Sequence, residues 1–523
     1  MPPAEVPEEV LTTPLTDFLL RNAAVDRPAF TCRTFPGPVD DTLTWPQLLG
    51  RVCGVARELR RTTKPGDRVA IIARQDLGYV VAFLGTLYAG RVAVPLSVPT
   101  GRTHRARLES ALADATPAAA LVSKNLLESV ASLVSRPDVL LAVDDIGPDD
   151  TEPPAEVVMS DPAYLQYTSG STRRPAGAVI SHRALVASCW QSTRPYHADA
   201  ESRLVGWVPF FHDMGLILLV GVPVFLGARS VFFTPMEFVR DPLRWIRLLA
   251  EHPGAITAAP NFAFDLAAEA AEAAEELADV DLSHVNAVLN GSEPIRAASV
   301  DAFDRAFAPF GLPRAAHKPC YGLAEATVFV ASAGDEGPTV TKFDRGELVS
   351  VGRPYGQRLR IVDNEIWVAG PNIADGYWGR PDRGETFTED GWLRTGDLGF
   401  VHDGLLYVAG RLKDLIIVDG RNHYPQDVEA TVEAAHPAIR AGRVAAFAVE
   451  DGHGEGVAVV AGCATPDDET VETAVRRAVS AGHDLPLRAL WLVRPGAVPR
   501  TSSGKVSRAA ARDRWWGENG RHG

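Results

Sequence analysis

From Asp67 the chain reads DRVAIIARQDLGYVVAFLGTLYAGRVAVPLSV: a short β-branched run, a helical apolar period, a glycine and a second β-branched run. Two strand-like runs joined by a helix-length segment predict a βαβ unit, because a parallel neighbour needs a crossover and a hairpin turn is too short to supply one. Parallel sheets bury both faces under helices, which fixes the fold class as layered α/β. The same alternation returns around AAALVSKN and VLLAVDD, so the sheet extends beyond one unit. At 523 residues the chain exceeds one ordinary core, and two or more folding units are expected.

Composition removes several function classes. A formal net charge of -14 argues against a sequence-independent grip on nucleic acid, which needs a basic face to displace counterions. Any anionic ligand must then be held by a local site. The opening MPPAEVPEEVLTTPL carries acids where a signal peptide carries bases, and LILLVGVPVFLG from Leu216 is too short and broken to span a bilayer. Cys32, Cys53, Cys189, Cys320 and Cys463 are scattered, without C-x-x-C spacing, and read as buried thiols in a reducing cytoplasm.

FDLAAEAAEAAEELADV from Phe264 reads as a surface helix with acids on one side. From Gly352 the texture changes to short strands with turn signals. After Arg411 the pattern of helix, two apolar strands and a further helix predicts a small α+β unit, and AAARDRWWGENGRHG reads as a frayed polar tail.

The chemistry concentrates first in AYLQYTSGSTRRPAG. An apolar strand runs into Thr168, Ser169, Gly170, Ser171 and Thr172, with a helix predicted from SHRALVASCW. Glycines and hydroxyls let backbone N–H groups approach a phosphate closely, although a flexible turn has the same composition. The run does not fit G-x-x-x-x-G-K-[ST], and H-E-x-x-H, G-x-S-x-G and G-x-G-x-x-G are absent from fitting contexts, so metalloprotease, serine hydrolase and dehydrogenase readings fall away.

Downstream follow WVPFFHDMGLI, NGSEPIR, CYGLAEAT, WLRTGDLGF, GRLKDLIIVDGRNHYPQDVE and PRTSSGKVSR. In this order they resemble the adenylate-forming superfamily of acyl-CoA synthetases, peptide-synthetase adenylation domains and luciferases. The HDMG tetrad after an aromatic, the NG-x-EP loop, YGLAEAT and an Arg just after SGST make the wording similar to fatty acyl-AMP ligases. The resemblance implies an acyl-CoA synthetase-like fold: a large N-terminal adenylation domain over 1–410, a small mobile C-terminal lid over 411–523, and an active site at their junction. It implies that a carboxylic, fatty acid attacks the α-phosphate of ATP, expelling pyrophosphate. The acyl group then passes to the phosphopantetheine thiol of an acyl carrier protein. Acyl-CoA ligation, another nucleophile and a degenerate nucleotide-binding homologue are the alternatives.

The likeness also assigns roles. Lys505 would bridge carboxylate and α-phosphate oxygens, where an ammonium suits a developing anion. Asp397 would accept both ribose hydroxyls, with Arg411 near the ribose or phosphate unless it merely pairs with Asp414. Tyr321, beside Gly322, would stack on adenine, and Glu325 would help hold Mg²⁺. Asn290, Gly291 and Ser292 would line the adenine edge with backbone and amide donors. His212 would stand near the carboxylate, or simply cap the following helix. Lys413 occupies the hinge position. Phe210, Phe211, Phe262 and Phe264 are candidates for the acyl pocket, with core packing as the plainer reading.

Two departures stand out. Ala176 sits where relatives carry a lysine for the β and γ phosphates. Arg173 belongs to the acyl-AMP ligase version of the loop, and Arg174 is placed to replace part of the missing charge. The insertion that marks fatty acyl-AMP ligases, thought to restrain the small domain against CoA, should lie between CYGLAEATVFVASAG and LVSVGRP, where only DEGPTVTKFDRGE remains.

Overall fold

A computed structural model describes residues 5–37, 39–99, 101–167, 176–274, 277, 279–343, 346–380, 384–418, 421–451, 454–483, 485–501 and 504–516. The chain divides into two compact units. One comprises Met1–Arg360, Trp367–Thr395 and Val401–Tyr407, and the other Ile361–Ile366, Gly396–Phe400 and Val408–Gly523.

The expected βαβ unit is present: Arg68–Ile72, helix Leu77–Tyr88 and Val92–Pro95, with the two strands parallel. AAALVSKN supplies Ala119–Val122 and VLLAVDD supplies Val139–Ala142, both parallel within a six-stranded sheet. The other edge of that sheet is Pro162–Tyr167 and its antiparallel neighbour Gly177–Ser181. A nine-stranded sheet lies in the same unit, its centre formed by parallel strands Pro28–Thr34, Arg229–Phe232, Arg203–Gly206, Ala255–Pro260, Ala287–Gly291 and His317–Tyr321. Helix Leu77–Tyr88 touches both sheets, which is why all twelve of its residues are buried and why its sequence is apolar on every side.

The densest apolar packing joins Trp207, Phe238, Trp245, Phe264, Phe303 and Phe307. The helix read as a surface element contributes here. It spans Asn261–Ala273 and buries Ala263, Phe264, Ala267 and Ala268, while Glu269 and Glu272 face outward. Spacing of three and four residues sets that inner stripe, so the helix is amphipathic and not a purely surface element.

Two-residue turns form the tight hairpins from Gly352 onward. Asp363 and Asn364 adopt φ 49° and 63° between strands Arg358–Val362 and Glu365–Ala369, and Asp403 and Gly404 adopt 51° and 72° between Leu393–His402 and Leu405–Arg411. Both are the left-handed pairs that suit the twist of a short hairpin.

In the small unit, Ile439–Asp451 pairs antiparallel with Gly454–Cys463, which pairs parallel with Leu487–Val493. Alternate residues of these strands face opposite ways. Val444, Ala446, Val457 and Val459 meet the stripe Val471, Val475 and Val479 of helix Glu469–His483, together with Val428 and Val432 of helix Pro425–Ala435. Ala445, Phe447, Ala458 and Val460 meet Val506, Ala511, Trp515 and Trp516. The final segment is therefore no frayed tail through Trp516: its apolar residues cover a sheet face that would otherwise meet water.

Candidate active site

Four parallel strands of the large sheet, Arg203–Gly206, Ala255–Pro260, Ala287–Gly291 and His317–Tyr321, run in one direction, so the segments after them gather at a common carboxyl edge. Ligands of open α/β sheets bind outside such edges. The gathering is visible in contacts between motifs that are far apart in sequence. Ser292 Oγ lies 3.9 Å from Met214 Sδ, and Gln166 Nε2 donates to the Phe211 carbonyl at 3.0 Å. Ser292 has φ 65°, a left-handed conformation that turns the chain sharply after Gly291.

Close approach dictates the glycines. A Cβ on Gly322 would sit 1.4 Å from the Val328 carbonyl oxygen, and one on Gly291 would sit 2.7 Å from Cys320 Sγ. Burial pushes the Cys320 thiol up to about 12, which keeps it protonated and inert beside Tyr321. Tyr321 and Glu325 are half-buried.

Asn290 corrects one expectation. Its side chain is 0% exposed and spends its amide on Asn261 Oδ1 and His317 Nε2, both at 3.3 Å, so its amide donors belong to the core. The alternation of a strand decides this: Asn290 points inward, and the turn begins one residue later. Phe210 and Phe264 are also core residues. Phe264 stacks on His317 with centroids 4.9 Å apart, and Phe210 lies 4.8 Å from Phe232. Phe211 and Phe262 are half-buried. His212 caps helix Asp213–Leu216, although Met214 N–H lies closer to Asp213 Oδ1, at 2.8 Å, than to His212 Nδ1, at 3.4 Å.

Thr168, Ser169, Gly170, Ser171, Thr172, Arg173 and Arg174 lie outside the described residues; Ala176, just after them, is half-buried. The helix expected from SHRALVASCW spans His182–Gln191 with Ser181 as its cap, but strand Gly177–Ser181 intervenes and returns antiparallel along Pro162–Tyr167.

In the small unit, the Asp397 side chain is 6% exposed and its Oδ1 lies 3.0 Å from Arg411 Nε. That pairing sets aside the plainer alternative for Arg411, a bond to Asp414. Asp414 instead meets Arg508 Nη1 at 3.1 Å, and Arg508 grips both oxygens of Glu429 at 2.7 Å each. Such a two-pronged guanidinium–carboxylate bond fixes orientation as well as distance. Lys413, one residue before Asp414, is exposed in the turn Leu412–Asp414. Lys505 closes a small loop: its N–H donates to Thr501 Oγ1 at 3.1 Å, and its carbonyl accepts from Thr501 N–H at 2.7 Å. Ser507 then caps helix Arg508–Ala511, so the loop bearing Lys505 is fixed to the anchored Arg508.

Sequence reasoning passed over Tyr377, whose hydroxyl donates to Glu325 Oε1 at 2.8 Å. The signal was present in ADGYWGRP, aromatics flanked by glycines, but nothing local links Tyr377, half-buried in the fold, to a carboxylate 52 positions earlier.

Residues 20–378 match the family described as AMP-binding enzyme, and residues 413–521 match the AMP domain of Disco-interacting protein 2-like proteins. The long-chain-fatty-acid–AMP ligase FadD26 of Mycobacterium marinum is 40% identical over 96% of this chain and 98% of its own. The 4-hydroxyphenylalkanoate adenylyltransferase of Mycobacterium tuberculosis is 39% identical over 92% of this chain and 87% of its own. A structure from a study of fatty acyl-adenylate ligases of E. coli and L. pneumophila superposes with a TM-score of 0.87 at 31% identity, covering 98% of this chain and 99% of that one. The chain belongs to the AMP-binding enzyme family, among its fatty acyl-AMP ligases. It is an adenylate-forming ligase, joining a fatty acid to AMP with release of pyrophosphate.

Its fold is the α/β architecture of that family, a large N-terminal domain of several sheets and a small C-terminal domain. This ligase is also the shorter relative. The FadD26 alignment runs over 577 positions and takes in 96% of the 523 residues here, so roughly 75 of its positions have no counterpart in this chain. Where an insertion was expected, Val340–Phe343 and Gly346–Val349 pair directly as a short antiparallel hairpin.

Proposed function

We propose that this ligase passes its activated acyl group to the phosphopantetheine thiol of an acyl carrier protein in the cytoplasm. A fatty-acid carboxylate oxygen attacks the α-phosphorus of ATP, the bond to the bridging oxygen breaks, and pyrophosphate leaves. The carrier thiol then attacks the acyl carbonyl, the bond to AMP breaks, and the thiol proton goes to solvent. Lys505 neutralises charge on the carboxylate and α-phosphate during the first step, as a mobile ammonium can. Asp397 takes the ribose hydroxyls, Arg411 stays beside it near the ribose, and Tyr321 with Gly322, Gly291 and Ser292 frames the adenine. Asn290 supports that turn from the core. Thr168 to Arg173 cradle the phosphates, and His212 stands by the carboxylate. The small domain turns at Lys413 to exchange the two steps.

Mg²⁺ fits the donors available: the half-buried Glu325 carboxylate and the phosphate oxygens of ATP are the hard oxygen ligands that ion prefers. Bound there, it would neutralise phosphate charge. The observation that carries the reading is the 40% identity with a long-chain-fatty-acid–AMP ligase across nearly the whole of both chains. Five cysteines without a disulfide suit a reducing compartment.

One observation favours a second reading, transfer to free CoA: the tight hairpin Val340–Val349 stands where the resemblance puts the segment that restrains the small domain. Purified protein with ATP, a panel of carboxylic acids and three acceptors (carrier protein, CoA, none) separates the two by mass detection of the thioester. Carrier thioester is expected, and acyl-CoA at a matching rate would remove the carrier assignment.

A further inference from the structure

Residues Ala374–Trp378 bind two motifs together. Ala374 N–H donates to the Glu325 carbonyl at 2.8 Å, Val179 N–H to Gly376 O and Asp375 N–H to Val179 O at 2.9 Å, and Trp378 N–H to Gly177 O at 2.8 Å. The segment is therefore a rail along Gly177–Ser181, the strand that leaves the phosphate-loop sequence, and it also holds the backbone of the candidate cation ligand. From the middle of this rail Tyr377 reaches Glu325 Oε1 at 2.8 Å. Phe387 braces the ring edge-on with centroids 5.5 Å apart.

We propose that Tyr377 is the positioning residue of the cation site: by occupying Oε1 of Glu325 it presents Oε2 to the divalent cation and holds that carboxylate beside strand Gly177–Ser181. The proposal rests on the reading of Glu325 as a cation ligand. Ala176 sharpens its consequence. With no lysine at that position, more of the phosphate charge falls to the cation, so the orientation of its protein ligand matters more.

The test uses the full chain and Mn²⁺–ATP as probe, titrated by electron paramagnetic resonance. Tyr377→Phe keeps the ring and removes only the donor. Losing a hydrogen bond to a charged group predicts an affinity weakened about tenfold. The Mg²⁺ concentration for half-maximal pyrophosphate–ATP exchange should rise in parallel, with thermal unfolding unchanged. In a Glu325→Gln background the same change should add nothing, a coupling that a merely structural tyrosine would not show. Mn²⁺–ATP affinity unaltered by Glu325→Gln would overturn the ligand reading itself. Affinity weakened by Glu325→Gln but not by Tyr377→Phe, or equal effects of Tyr377→Phe in both backgrounds, would overturn the tyrosine's role and leave that reading standing.

Discussion

The large and small units place their candidate site residues by different physics. In the large unit, Gly291, Ser292, Tyr321 and Glu325 follow parallel strands whose flanks are filled by Trp245, Phe264 and Phe303, so their positions are set by shape. In the small unit, Asp397 pairs with Arg411, and Arg508, three residues after Lys505, joins Asp414 to Glu429. Apolar packing resists salt, whereas partly exposed ion pairs weaken with it. Charge pairs can hold a loop rigid within the small unit without enlarging its apolar surface.

The sharpest way to break this comparison is to open the large core. Phe264→Ala removes a fully buried ring from between Trp245 and Phe303 and should destabilise the large unit by about 3–5 kcal/mol. Hydrogen exchange should rise in peptides covering 255–270 while 425–435 stays protected; an equal rise in both would mean the two units do not unfold separately.

Acid offers a second handle. Burial lowers the His182 imidazole from its ordinary value of 6.5 to about 4, with only 3% of the residue exposed. Between those values the unfolded chain binds a proton that the folded one refuses, so stability falls as pH drops from about 6.5 to about 4 and levels off below. The full loss is about 3 kcal/mol at 1.36 kcal/mol per pKa unit. His182→Gln should flatten that window in a pH series of denaturant midpoints; an unchanged slope would remove the assignment.

Arg508→Met addresses the small unit. A fully buried pair broken on one side costs about 3–5 kcal/mol, but with 22% of the Arg508 side chain exposed the expectation drops to about 2 kcal/mol. Exchange should rise at 425–435 and 505–511 only, and adding Glu429→Gln should recover part of the loss because the carboxylate is no longer left unpaired. Failure of the second change to help would point to lost packing in place of lost charge.

Much of the fold was legible because its signals are local. The period change from Val69 to Val94 marks strand, helix and strand, and Asp403–Gly404 marks its own turn. What escaped depends on partners distant in sequence. Return strand Gly177–Ser181 is defined by pairing on both sides, with Pro162–Tyr167 and with residues 374–378. Asn290 could be placed in the core only by knowing that His317 lies beside it, and Arg411 chose Asp397 over the nearby Asp414 because neighbouring strands, not neighbouring residues, bring them together. The ends of the phosphate-loop reading, Tyr167 and Ala176, fall within the described residues, and Thr168 to Pro175 remain a reading from sequence alone.

The central claim is that Lys505 and its companions drive formation of an acyl-adenylate despite the alanine at 176. Fatty-acid-dependent exchange of labelled pyrophosphate into ATP by the full chain, compared with Lys505→Ala, tests it most directly. The account predicts exchange with at least one fatty acid and a fall of about 10²–10³ in the variant. Exchange with no acid tried, or a variant as fast as the parent, would contradict it.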